Sequence, residues 1–283
     1  MKKGKIYLIL SAFIYGFTPI LAKTVYSGGT NGMTLTFLRA AMSLPLLFLV
    51  LVVKKIDLRL EKGQAKRVVL LAVVGNALSI ICLYVAYSFI SVGLATVLHY
   101  IYPLLIVLIC ALFFKERMGR RKLIAAVLVT IGILLFMDVN GKGDIFGAVM
   151  AFLSGLFYAF NVLYMDKSGL DRMHYLKLTF YISLIMSVTV FLFALPGRQL
   201  AFDMSAEAWI LAGVISVLVT LCGLPLFQLG VLYEGAATAG ILSTVEPITG
   251  VLLGAALLGE PLTWAGLVGC ALILLGVVLI ETG

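Results

Sequence analysis

Glu246 is the side chain here with the most chemical reach. It is a carboxylate in the middle of the apolar run 236–262, and Pro247 follows it at once. At membrane depth a carboxylate is expensive unless it faces a cavity or a partner. The proline removes a backbone donor and loosens the helix at that level. Helical spacing puts Ala239, Ser243, Glu246 and Gly250 on one small, polar face. Such a face suits the wall of a substrate pathway; the plainer alternative is a protonated acid that only joins two helices. Tyr102 holds the matching place beside Pro103, and His99 lies one turn earlier on the same face. An acid, a phenol and an imidazole that titrates near neutrality suit binding an amine or handling a proton.

Other polar and aromatic stripes run at helical spacing: Ser11, Tyr15 and Thr18 beside Pro19; Asn76 with Tyr84 and Tyr87; Ser154, Tyr158 and Asn161; Thr220, the Gly223-x-Pro225 break and Gln228. Rings around one acid make a cage for an ammonium group. Ordinary packing is the plainer role for any single tyrosine. The candidate substrate-binding or coupling set is Glu246, Tyr102, His99, Ser243, Tyr15, Tyr84, Tyr87, Tyr158, Asn161 and Gln228.

Soluble-enzyme constellations are missing from the sequence. No Gly-rich phosphate loop or HExxH occurs, and the two histidines, His99 and His174, form no acyl-transfer triad. Cys82, Cys110, Cys222 and Cys270 have no metal-ligand spacing and read as buried thiols. No cofactor and no metal are expected.

These side chains need a scaffold, and composition names it. Hydrophobic residues make up 63% of the 283, charged residues only 12%, and the mean hydropathy is +1.16. That excludes a soluble globular domain and implies an all-α integral membrane protein. Ten apolar segments of bilayer-crossing length are expected, near 5–25, 31–53, 67–89, 93–114, 119–137, 144–165, 173–195, 207–231, 236–258 and 262–280. The basic, apolar start resembles a leader peptide but reads as the first span, since no small-residue cleavage site follows.

The net charge of +8 reports topology, not nucleic-acid binding. Basic residues cluster at 2–5, 54–67, 115–122 and 167–177, against only Lys142 and Arg198 in the alternate connections. That bias predicts both termini in the cytoplasm, in the inner or plasma membrane.

A shift of 144 residues carries Ala95 to Ala239, Pro103 to Pro247, Glu116 to Glu260 and Gly132 to Gly276. The first span also resembles the sixth, aligning Gly4 with Gly143 and Gly16 with Gly155. Two halves, 1–138 and 139–283, then hold five spans each. Five is odd, so they insert in opposite sense, the plan of secondary transporters with a site where the halves meet.

With its ten spans and the duplicated pattern from Pro103 to Glu116 and Pro247 to Glu260, the chain resembles the drug/metabolite transporter superfamily and its EamA-like members. The resemblance implies two inverted five-helix repeats around a central cavity lined by spans one, three, four, six, eight and nine. It implies a small-molecule substrate such as an amino acid, amine, nucleoside or drug, and does not choose among them. The reading taken is an amino acid or related metabolite moved by alternating access, with protons as the candidate coupling ion. The alternative is a carrier of organic cations such as choline or toxic amines; behind it stand a membrane subunit or an intramembrane enzyme. The partners expected are substrate, proton and lipid bilayer, with the chain acting as a monomer or a homodimer.

Span two is peripheral in that plan, so Arg39 within it is expected to serve structure, although it could meet Glu246 or a substrate carboxylate. Glu116 and Glu260 are expected to cap the helices that follow them.

Overall fold

The computed structural model describes residues 3–90, 92–116, 119–135, 144–259 and 263–281, and all regular structure among them is helical. Lys3–Ser27, Gly32–Val53, Gln64–Tyr87, Leu94–Leu112, Ile145–Lys167, Tyr175–Ala194 and Ala206–Leu242 are each long and apolar enough to cross a bilayer. The last of these contains two spans. Gly235, at φ 77° and ψ 168°, turns the chain between spans eight and nine. Arg120–Leu134, Val245–Leu258 and Trp264–Glu281 supply span five, the rest of span nine, and span ten.

Local chemistry sets several of the starts. Asn31 accepts from the Thr34 amide at 2.9 Å, Asp144 from Phe146 at 2.8 Å, and Ser205 from Ala208 at 3.2 Å. Thr263 accepts from Gly266 at 3.0 Å, so it caps span ten. Each satisfies one of the orphan amides of a first turn. Glu116 departs from the expected role. Its carboxylate pairs with Lys167 of span six at 2.5 Å, and Gly119 stands at the start of span five with no side-chain cap. Glu260 lies outside the described residues.

The interior is small and the exterior large. Ala12, Ala72, Ala86, Ala95, Ala125, Ala151, Ala159 and Ala212 are fully or almost fully buried. Phe13, Phe48, Leu112, Phe113, Leu192 and Trp264 are exposed. A water-soluble chain would reverse this; a bilayer makes it favourable, since lipid solvates the large apolar side chains and small ones let backbones approach.

The halves exchange partners. Span one packs on eight and nine, and span six, its repeat equivalent, packs on three and four. Span two lies against seven, and five against ten. This is the pattern of a two-fold relation between two five-span units inserted in opposite sense. Loops tie the halves at both faces. At the face away from the N-terminus, Ser205 donates its amide to Gly28 O at 2.9 Å and Asn31 Nδ2 donates to Gln199 O at 2.8 Å. At the N-terminal face, Arg67 donates to Ser168 O at 3.0 Å and the Tyr181 hydroxyl to Leu58 O at 2.6 Å.

Besides a one-residue turn at Met42 in span two, the described residues show departures from regular α-helix in repeat-related pairs of spans. Spans three and eight contain wide π-type turns, at Leu71–Leu78 and Ser216–Gly223. In the first, Asn76 Nδ2 donates to Leu71 O at 3.1 Å, inserting a side chain into the hydrogen-bond ladder. In the second, Pro225 withholds the amide that Leu221 O would receive. Spans four and nine break into turns at Tyr100–Ile101 and Ser243–Thr244. The residues four before Pro103 and Pro247 are His99 and Ser243, so each break sits where the proline ring collides with the preceding turn.

Candidate substrate-binding and coupling site

The break in span nine governs how Glu246 is presented. The face Ala239–Ser243–Glu246–Gly250, expected on a continuous helix, is interrupted at Ser243–Thr244. Glu246 instead lies in the first turn of Val245–Leu258, its amide bonded to Ser243 O at 3.0 Å. It sits eleven residues into a span that starts at Ala236, ~15 Å deep at ~1.5 Å per residue. Glu246 is half-buried at that depth, as are Tyr15, Arg39, Tyr87, His99 and Tyr158.

Tyr100 stands close enough to Glu246 for the two side chains to act on each other. Tyr100 is absent from the candidate set. It lies in the turn of span four, where counting by helical faces fails; a proline three residues downstream was the available signal. The charge of Glu246 also acts on Tyr15, Tyr87, Tyr102 and Tyr158.

Two serines hold the rings in place. Ser243 donates its single proton to Gly240 O at 2.8 Å, so the Tyr102 hydroxyl is the donor in the 2.6 Å bond to Ser243 Oγ. Ser154 likewise donates to Ala151 O at 2.7 Å. His99 Nδ1 at 2.8 Å from Ser154 Oγ must therefore carry its proton, and Nε2 is left as the acceptor of a neutral ring. Around these bonds His99, Tyr102 and Tyr158 form a cluster, with the Tyr102 and Tyr158 centroids 4.6 Å apart and those of His99 and Tyr158 5.5 Å apart. Tyr100 stacks on its edge, 5.5 Å from His99 and 5.6 Å from Tyr102. Ser154→Ala is expected to leave Nδ1–H unpaired and lower stability by about 1–3 kcal/mol, read as an earlier unfolding transition in detergent.

The structure thus gathers Glu246, Tyr102, His99, Ser243, Tyr158 and Tyr15. It places the other candidates elsewhere. Asn161 is buried at the interface of spans three and six, accepting from Asn76 Nδ2 at 3.0 Å. Gln228 points to span seven, donating to Thr179 Oγ1 at 3.0 Å, and lines a separate cavity of about 240 Å³ with His174 and Tyr175. Tyr84 stands at the far end of span three, its hydroxyl 3.5 Å from that of Tyr26, with Tyr87 packed against its ring.

Arg39, expected to serve structure, carries a charge that acts on Tyr15, Tyr26, Tyr158 and Glu246. Cys110 and Cys270 are buried thiols as expected, Cys82 is half-buried and Cys222 is exposed; all four are free.

Spans one and six approach the broken helices closely. A Cβ on Gly155 would collide with the His99 carbonyl, and one on Gly16 with the Glu246 carbonyl and the Thr249 side chain. At the N-terminal face of the protein, Lys167 at the C-terminal end of span six bridges Glu116 and Asp166, and Asp166 Oδ2 accepts from the Ala236 amide at 3.2 Å. Spans four, six and nine are joined there.

A polytopic all-helical chain, doubled, with a polar cluster at the junction of its halves, defines the class. The sequence pattern of the EamA-like transporter family matches residues 2–137 and 145–282, and the chain belongs to that family. An uncharacterized transporter of Archaeoglobus fulgidus is 29% identical over 280 residues, covering 99% of this chain and 96% of that one. An uncharacterized transporter of Synechocystis sp. is 24% identical, covering 98% and 93%. A crystal structure of a protein superimposes with a TM-score of 0.81 at 17% identity, over 98% of this chain and 95% of that one, and shares the fold.

Proposed function

We propose that this chain is a secondary active transporter that moves a small polar metabolite, an amino acid or a related compound, by alternating access across the cytoplasmic membrane. Glu246 carries the coupling proton. Both termini lie in the cytoplasm, and the repeats divide at 138/139. One observation supports this reading above the rest: an acid at mid-depth, half-buried beside a helix break, with the Tyr100 and Tyr102 hydroxyl groups near it. An intramembrane acid in that setting is suited to take up and release a proton as each side gains access.

A second reading, a carrier of organic cations, draws on the His99, Tyr100, Tyr102 and Tyr158 rings beside the acid, an arrangement that attracts ammonium groups. Family membership favours transport over enzyme chemistry in either case.

Reconstitution into liposomes separates the two. A pH gradient should accumulate an amino acid, and a protonophore should collapse that accumulation. Uptake restricted to quaternary or primary amines would favour the cation carrier. Amino-acid flux indifferent to the protonophore would remove the proton from the mechanism.

A further inference from the structure

Arg39 is the eighth residue of Gly32–Val53, ~11 Å from the start of span two by helical rise. Span two starts at the face away from the N-terminus, and Glu246 lies ~15 Å from the other face. In a hydrocarbon core of ~30 Å the two stand at similar depth. The backbone of Arg39 is clamped: its carbonyl accepts from Ser216 Oγ at 2.8 Å and Thr220 Oγ1 at 3.1 Å, both on the wide turn of span eight. The side chain is half-buried. The groups its charge reaches, Tyr15 and Tyr26 of span one, Tyr158 of span six and Glu246 of span nine, all stand on spans other than its own. Among the described residues neither Arg39 nor Glu246 has an ion-pair partner. They act on each other's charge and yet stand apart.

A guanidinium held at this depth without an anion in contact is costly. Its planar fork matches a carboxylate in two parallel hydrogen bonds. We propose that Arg39 binds the carboxylate of the substrate while Glu246 and the rings beside it take the ammonium, so that the substrate is a zwitterion spanning the gap between two opposite, unjoined charges. The inference rests on the transport reading above and narrows it. It also disfavours a plain organic cation, which Arg39 would repel.

The test measures binding to the purified protein by thermal shift and titration, using the twenty L-amino acids and, for each that binds, its methyl ester. Wild type should bind at least one amino acid and bind its ester at least about tenfold more weakly. Arg39→Gln should weaken the amino acid by a similar factor and leave the ester unchanged; Arg39→Lys should fall between. A merely structural arginine would weaken both ligands alike. If Arg39→Gln fails to fold, the ratio of ester to amino-acid affinity in Arg39→Lys decides. An ester that binds wild type as tightly as its parent, or a preference that survives both substitutions, overturns the proposal. Binding of amines alone overturns it while leaving transport standing. Binding of none of these overturns both.

Discussion

Glu246→Gln is expected to reduce pH-gradient-driven uptake to background in proteoliposomes while the protein remains folded. Glutamine preserves the shape of the side chain and keeps an acceptor oxygen. What is lost is the negative charge and the titration. A hydrogen bond to a charged group contributes about 1.5–3 kcal/mol, so affinity for a cationic group should fall about 10–100-fold. Unfolding in detergent should occur at the same temperature or higher, because an acid without an ion-pair partner is replaced by a neutral amide. Driven uptake equal to that of wild type would take Glu246 out of the mechanism.

Gly155→Ala and Gly16→Ala should both be damaging, because each added methyl meets a backbone carbonyl of a broken span. In an open helix the change would add about 1 kcal/mol of stability. At Gly155 the new methyl meets the His99 carbonyl, a backbone atom in the span-four break that cannot swing aside. Overpacking of this kind costs about 1–3 kcal/mol, and relieving it would displace His99 from Ser154. Gly16→Ala repeats the experiment in the other half, against the Glu246 carbonyl. Gly250→Ala is the control. Its nearest neighbour, Gly16 O, lies 3.6 Å from the added carbon, an ordinary contact, so stability should hold or rise slightly. Denaturation of the three variants in one detergent compares them directly. If Gly155→Ala proves as stable as Gly250→Ala, the close approach of spans six and four is not a constraint.

Composition, repeat and hydropathy were enough to expect a doubled helical membrane protein, because burial in lipid imposes one simple rule on every span. The polar cluster was legible where a polar residue interrupts an apolar run: Glu246, His99 and Tyr102 stand out as candidates on that ground alone. Tyr100 and Arg39 escaped for physical reasons. Tyr100 lies in a turn, where a 3.6-residue period no longer says which way a side chain points. Arg39 was set aside because its span is peripheral, yet a long flexible side chain reaches past the helix that carries it. Asn161 and Gln228 show the limit of the same rule. Asn161 accepts from Asn76 inside a helix interface, whereas Gln228 gives its amide nitrogen to Thr179 and keeps a buried Oε1 without a hydrogen-bond partner among the described residues; no spacing rule separates a polar group that faces a neighbour from one that faces a ligand.

The wide turns of spans three and eight have a consequence for anyone who aligns or redesigns this chain. One surplus residue in a helix rotates everything beyond it by roughly 100° relative to an unbroken α-helix. Tyr84 and Tyr87 follow the first such surplus, and Gln228 follows the second. A single-residue deletion that tidied either turn into ideal geometry would keep the composition and the hydropathy of the span intact. It would nevertheless swing those side chains by more than a quarter of a circle, so the duplicated miscount is itself information that both halves must preserve.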